Sequence, residues 1–312
     1  MGVEWTTRSS NSSKANVPQV DLSRTLRSII LQEDDNRCRN PLSLRYPTTG
    51  GTGQLWVNLT KSLPAERIHL GASVVSIDAN ARTISLADGN AIHYRHLVSC
   101  LPLDRLLRML GLPELETYAA QLKSCGVHAV GFGRRGELPE PLASKHWINI
   151  PDEDMPFHKL TILSNCSAGN VPRDHPCWSI LCDVCESSER PIDQTNIVRK
   201  VIAALRKLPF FPGSDHIDTA FHTFSPFAYT VPSLGRDEVL GVVQSALLKM
   251  GIWSRGRFGG WKYEVGNMDH SFMQGVEAID NILFGIEEMT YFSPSSVSQG
   301  LADRHPVAET AK

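Results

Sequence analysis

The seventeen residues Arg255–Ser271, R-G-R-F-G-G-W-K-Y-E-V-G-N-M-D-H-S, constrain this chain more than any other stretch. They stand directly ahead of a helix predicted from about Ser271, in which Phe272, Val276, Ile279, Leu283 and Ile286 recur at offsets 0, 4, 7, 11 and 14. A loop this dense in glycine, arginine and aromatic residues, ending on a helix amino terminus, suits an anionic ligand, because the unpaired N–H groups there carry partial positive charge. Gly266 and Asn267 would let such a ligand approach closely. The alternative is purely local: Asp269 caps the helix and the glycines make a turn.

A second cluster, Gly50-Gly51-Thr52-Gly53, lies between the extended run LSLRYPTT and a helix with Leu55, Leu59 and Leu63 on one face. It is neither G-x-G-x-x-G nor a P-loop, since no Lys-Ser/Thr follows. No strand followed by G-x-G-x-x-G occurs in the chain, so nothing here makes a full dinucleotide-phosphate turn by itself.

Around these clusters the pattern is mixed α/β. Residues 1–40 read as an irregular polar lead-in. Alternating runs at 73–78, 82–88 and 90–100, with Asp88-Gly89 as a turn, predict an antiparallel ribbon leading into a buried strand at 97–101. Helices are predicted at 103–111 and 115–122. Strands at 126–133, 146–150, 159–165 and 177–184 predict a second, antiparallel sheet. A helix capped by Asp193, a strand at 216–224 and a helix at 236–250 follow, and residues 291–312 read as a disordered tail.

Charge narrows the function classes. Thirty-one Lys and Arg against 33 Asp and Glu leave a net charge of −2, with no positive excess to neutralise a phosphate backbone, so nucleic acid is not expected as a partner. No apolar run reaches the ~18 residues that cross a bilayer, so no membrane is expected either. The amino terminus lacks a secretory layout and the seven cysteines are odd in number, which points to free thiols and a cytoplasmic setting. Cys182 and Cys185 sit in a strand-like run that puts them on opposite faces, unlike a redox C-x-x-C. The eleven histidines show no metal-ligand spacing, so no metal is expected. Trp147, Lys159, Tyr229, Arg257 and Tyr263 are types that suit a sugar diphosphate, although each alone is as well explained as a half-buried packing residue. His270 is open between a site group and a core histidine.

The runs L-R-Y-P-T-T-G-G-T-G-Q-L-W (44–56) and I-W-S-R-G-R-F-G-G-W-K-Y-E-V-G-N-M-D-H-S-F-M-Q-G-V-E-A-I-D-N-I (252–282) resemble the eukaryotic, particularly fungal, UDP-galactopyranose mutases, relatives of the amine-oxidase-like flavoproteins. H-W-I-N-I-P-D-E-D-M-P-F-H-K-L (146–160), W-S-I-L-C-D-V-C-E-S-S (178–188) and A-Y-T-V-P-S-L-G-R-D (228–237) extend the likeness over about residues 40–290. The resemblance implies an FAD flavoprotein in which the reduced flavin attacks the anomeric carbon of a UDP-sugar, UDP leaves, and the sugar ring opens and recloses as the furanose. It implies flavin contacts at Gly50, Gly51, Val74, Arg257, Gly266, Asn267 and Ser271, and substrate contacts at Trp147, Lys159, Tyr229 and Tyr263. Residues 41–102 and 252–290 would then be remnants of an FAD-binding domain and 103–251 a substrate domain. Self-association into a homo-oligomer is left open.

The chain departs from the family pattern at defined places. The amino-terminal βαβ unit with G-x-G-x-x-G is absent, which predicts a chain shortened at that end with a partial FAD site. Asn149 stands where the family has Tyr, Lys159 where it has Arg, and Met268 where it has Gln. Three function classes follow: a mutase-like isomerase, a flavin-dependent oxidoreductase acting on another small molecule, and a non-catalytic fragment.

Overall fold

The computed structural model describes residues 21–32, 45–211 and 217–294. In chain order they form α1 (Leu22–Leu31), α2 (Gly53–Thr60), β1 (Val74–Asp78), β2 (Thr83–Leu86), β3 (Ala91–His93) and β4 (Leu97–Ser99). Next come α3 (Leu103–Met109), α4 (Pro113–Ala119), β5 (Ser124–Arg135), β6 (Trp147–Asn149), β7 (Lys159–Ile162), α5 (Leu163–Cys166) and β8 (Cys177–Glu186). The last are α6 (Ile197–Leu205), β9 (Thr219–Thr230), α7 (Arg236–Lys249), β10 (Ile252–Ser254), α8 (Gly256–Gly259), α9 (Met268–Phe284) and α10 (Met289–Phe292). This is a mixed helix-and-sheet fold with antiparallel sheets. The chain divides into two compact units, and residues 41–71 group with 124–228 rather than with the segment beyond 252.

The unit containing 45–71 and 124–228 is built on a sheet of order β6–β7–β8–β5–β9. Pairing is antiparallel from β6 through β5. Side chains alternate across a strand, so Val130, Phe132, Leu160, Ile162, Trp178, Ile180, Cys182 and Val184 share one face and bury against Ile197, Val201 and Leu205 of α6. Asp193 caps the 3₁₀ turn that leads into α6, accepting from the Thr195 N–H. β9 lies at the sheet edge, the position where its Pro226 is tolerated. Three β5 glycines face β9 side chains at close range: a Cβ on Gly126 would come within 2.6 Å of the Phe224 ring, on Gly131 within 2.6 Å of Phe221, and on Gly133 within 2.5 Å of the Thr219 hydroxyl.

The unit containing 21–32, 72–123 and 229–294 holds the β1–β2–β3 meander and a two-stranded parallel pair, β4 with β10. The run 90–100 splits at Tyr94–His96 because β3 pairs antiparallel with β2 whereas β4 pairs parallel with β10. Leu103, Leu106 and Leu107 of α3 pack with Val239, Leu240, Val243 and Leu247 of α7, closing over Ile252 and Trp261.

Three boundaries differ from the sequence reading. Residues 22–31, placed in an irregular lead-in, are helical: Asp21 accepts from the Arg24 N–H, and Leu22, Leu26 and Ile29 keep helical spacing. The rest of that lead-in lies outside the described residues. Ordered structure also continues past residue 290, where Thr290 and Tyr291 are buried and Thr290 is held by both carboxylate oxygens of Glu277; residues 295–312 lie outside the described residues. Helix α9 begins at Met268 with Asn267 in the cap position. Asp269 therefore sits inside the first turn, where its charge complements the partial positive charge of the helix end.

Candidate functional site

In the first unit the sheet face opposite the core carries a polar and aromatic set. Register places Trp147 opposite Thr161, Asn149 opposite Lys159, and Lys159 opposite Asp183. The Lys159 ammonium stands 5.8 Å from the Trp147 ring centroid, a cation–π arrangement. Burial raises the Asp183 carboxyl above its ordinary value while Lys159 pulls it down, so part of the lysine charge already serves this partner. Trp147, Lys159 and Thr161 form one wall of a cleft of about 480 Å³, with Tyr46, Gly51 and Cys166 on another. Burial, and then the neighbouring Cys166 thiol, raise the Tyr46 phenol. Gly50 and Gly51 have φ of 79° and 69°, so the turn before α2 needs glycine, and a Cβ on Gly50 would come within 2.8 Å of Gln54. The structure thus brings Gly51, assigned from sequence to the flavin, into the same cleft as Trp147 and Lys159.

Beside that cleft, His158 is depressed to about 4, chiefly by burial and also by the charge of Lys159, and its Nδ1 lies 3.5 Å from the Cys185 thiol. Cys182 packs in the core on the other face, and both thiols are pushed far up, Cys182 chiefly by burial and Cys185 by a hydrogen bond with Cys125 and by burial. The C-x-x-C pair is structural, as its strand setting predicted. Further along the sheet, Glu186 accepts from Nε2 of the fully buried His128 at 2.7 Å, which leaves Nδ1 to accept from His222 Nε2 at 2.9 Å. No described His, Cys, Asp or Glu residues form a metal-binding group.

In the second unit, the loop before α9 and the first turn of that helix bring sequence candidates together. Arg257 Nη1 donates to the Gly266 carbonyl at 2.8 Å and its guanidinium lies 4.8 Å from the Tyr229 ring centroid. Tyr229 and Tyr263 have ring centroids 6.2 Å apart. Gly266 fits closely, since a Cβ there would lie 3.4 Å from both Arg257 Cγ and the Lys262 carbonyl. Asn267 makes no side-chain cap, so the first N–H groups of α9 keep their donor capacity. The Ser271 N–H closes the first turn onto Asn267, and His270 Nδ1 is buried without a hydrogen-bond partner. An uncapped helix start beside an orphaned ring nitrogen fits an acceptor-rich planar group of the flavin kind. Val74 instead lies in β1, paired with Leu86 and packed on the second core.

Ion pairs that the sequence reading missed support this loop. Arg255, 1% exposed, donates to Glu288 through Nε and Nη2, to Gln244 at 2.9 Å and to the Ser254 carbonyl at 2.8 Å. Arg236 is held by Glu264 and Asp237, whose charges outweigh burial and raise it. Nothing in the local sequence pairs residue 255 with 288.

Residues 15–239 match the family of flavin containing amine oxidoreductases, and the chain belongs to that family. Membership implies a flavin cofactor. Among solved structures the chain is similar to a reduced UDP-galactopyranose mutase, at 33% identity and a TM-score of 0.84, over 94% of this chain and 63% of that one. It spans, therefore, under two thirds of that mutase's length. An Exiguobacterium sp. 255-15 protein named "Putative protoporphyrinogen oxidase" (14% identity, TM-score 0.56, 74% of this chain and 51% of that one) and a putrescine oxidase (12%, 0.53, 75% and 53%) share the fold. No described helix is long and apolar enough to cross a membrane.

Proposed function

We propose that this chain is a UDP-galactopyranose mutase-like flavoprotein that isomerises a UDP-sugar, with FAD as its flavin. The observation that carries the reading is the cleft in which Lys159 and Trp147 stand side by side, taken with the 33% identity to a mutase. Lys159 offers a point charge to diphosphate oxygens, Trp147 a flat face to base or sugar, and Thr161 a hydroxyl beside both. Tyr229 and Tyr263 supply two further phenol groups near Arg257, which holds the loop through the Gly266 carbonyl. Arg257, Gly266, Asn267 and Ser271 would hold FAD, which when reduced supplies a nucleophile toward the anomeric carbon. The half-buried Arg257 guanidinium also stacks on the Tyr229 ring, which helps hold its charge at the loop.

Calorimetric titration with UDP tests this. Lys159→Arg replaces a point charge by a planar two-oxygen fork, a gain of one charge-assisted hydrogen bond worth roughly 1.5–3 kcal/mol, or about 10- to 150-fold. Asn149→Tyr should add to it, since residue 149 lies directly opposite Lys159. If neither variant binds UDP more tightly than the parent, the nucleotide-sugar reading fails. The oxidoreductase reading would then lead, favoured by an Asn149–Lys159 pair that lacks the fork and phenol of a diphosphate site.

A further inference from the structure

The sheet face that carries Trp147 and Lys159 holds a second cleft, of about 510 Å³, toward the Arg135 end of β5. Side-chain alternation puts Gly131, Gly133 and Arg135 on this face, opposite Leu181, Ser179 and Cys177 of β8. The two glycines leave the strand backbone uncovered, and the small Ser179 and Cys177 beside them do not fill the space. The result is a hollow where a sheet face would ordinarily carry side chains.

Its two sides are built differently. Leu163, Val171 and Pro172, from the segment between β7 and β8, make an apolar wall. Asn170 Nδ2 donates to the Leu163 carbonyl at 2.9 Å and Ser179 Oγ to the Asn170 carbonyl at 3.4 Å, so that wall is tied to itself and to the sheet. Across from it the Phe221 ring lies over Gly131 and is 54% exposed, which presents a flat aromatic face to the opening. Arg134, the exposed Arg135 and Asp218 border the mouth, two guanidinium groups against one carboxylate. The Asp218 carboxylate accepts from the Arg135 backbone N–H at 2.6 Å, and His175 is paired with Asp174.

The geometry points to a second ligand site, which takes an aromatic monocarboxylate: a flat apolar body between the Phe221 ring and the Leu163–Pro172 wall, with its carboxylate at Arg135. A hollow of this volume, mostly apolar with a few placed polar groups, is the usual form of a small-molecule site. Ring stacking on Phe221 holds the body, and the Arg135 fork matches the two oxygens of a carboxylate. A net charge of one at the mouth suits a monoanion better than a diphosphate. The two clefts share Leu163 and Asn170, so an occupant of the second rests on a wall of the first. The inference does not depend on the UDP-sugar reading.

Cys177 lines this cleft and Cys166 the first, so each thiol reports on its own cleft. The test is to alkylate the full chain with iodoacetamide in the presence of 2-naphthoate, 2-naphthamide or UDP, reading the rate at each cysteine by peptide mass spectrometry, and to measure naphthoate binding separately by equilibrium dialysis. Saturating 2-naphthoate should bind one-to-one and slow Cys177 about tenfold while leaving Cys166 unchanged. Arg135→Gln should weaken naphthoate about tenfold or more, whereas the uncharged 2-naphthamide should bind parent and variant equally. Residue 135 is exposed, so melting by circular dichroism should be unchanged. No binding in dialysis, no protection of Cys177, equal protection of Cys166, or undiminished affinity in Arg135→Gln overturns the inference. Protection of Cys177 by UDP overturns it as well, because the second cleft would then be part of the first.

Discussion

Removing the Glu288 carboxylate should unfold the second unit far more readily than removing an exposed carboxylate would. Side-chain exposure is 1% for Arg255 and 2% for Glu288, and two of the guanidinium's donor groups end on Glu288. Glu288→Ala leaves Gln244 and the Ser254 carbonyl in place, but neither carries charge, so a buried cation is left without its counter-ion. Breaking a buried pair from one side costs about 3–5 kcal/mol. For a cooperative unit of this size that corresponds to a fall of about 6–20 °C in Tm, at about 2–4 °C per kcal/mol. The aromatic partners contribute too, since Arg255 lies 4.7 Å from the Tyr291 ring centroid. Urea unfolding followed by tryptophan fluorescence is a suitable assay, with Trp253 and Trp261 reporting on this unit. The double variant Arg255→Met/Glu288→Leu should recover most of the loss, because an apolar pair of similar volume avoids the desolvation of both charges. A single variant within about 1 kcal/mol of the parent, or a double variant no better than the single, would refute the reasoning.

Two further outcomes are expected. The unfolded chain protonates a histidine near its ordinary value whereas folded His158 does so only at about 4, so between those values the unfolded state binds more protons and stability falls as pH falls. About 2–3 kcal/mol should be lost between pH 6.5 and 4, and His158→Gln should flatten that part of a pH series of urea melts; an unchanged slope would exclude His158 as the cause. Gly131→Ala should cost about 1–3 kcal/mol in the same melts, because the added methyl meets the Phe221 ring. Gly131→Ala/Phe221→Ala should then be more stable than the sum of the two single changes, and strict additivity would show that no contact is shared.

Short-range signals were legible in the sequence: Asp88-Gly89 turns the ribbon, Asp193 caps its helical segment, and the Gly50-Gly51 pair turns into α2. Much of the candidate site was readable as well, since Arg257, Gly266 and Tyr263 come from one continuous run. What escaped depends on distance along the chain. Tyr46 joins Trp147 in one cleft across a hundred residues, and Arg255 meets Glu288 only because α9 returns the chain to its own starting loop. Helix α1 escaped for a different reason. Its apolar positions were spaced correctly, but the polar residues between them suggested an irregular segment, and no buried partner weighs for or against it. The split at Tyr94–His96 was hidden because alternation continues through a change of pairing partner.

The notches along β5 bear on how this sequence can change. Phe224, Phe221 and Thr219 each rest where a neighbouring strand would normally carry a β-carbon. Sliding β9 by two residues keeps its faces correct; one of Phe221 and Thr219 then meets the other's glycine, but Phe224 and the remaining one move onto positions that do carry a β-carbon. The edge strand therefore has a single seating, and an invading strand from another molecule would need its bulky groups at the same intervals to displace it. Mutational drift is tied in the same way: Gly131 can acquire a side chain only after Phe221 has become small, whereas Phe221 can shrink first at the cost of a hole. The permitted order of substitutions is written into the strand pair.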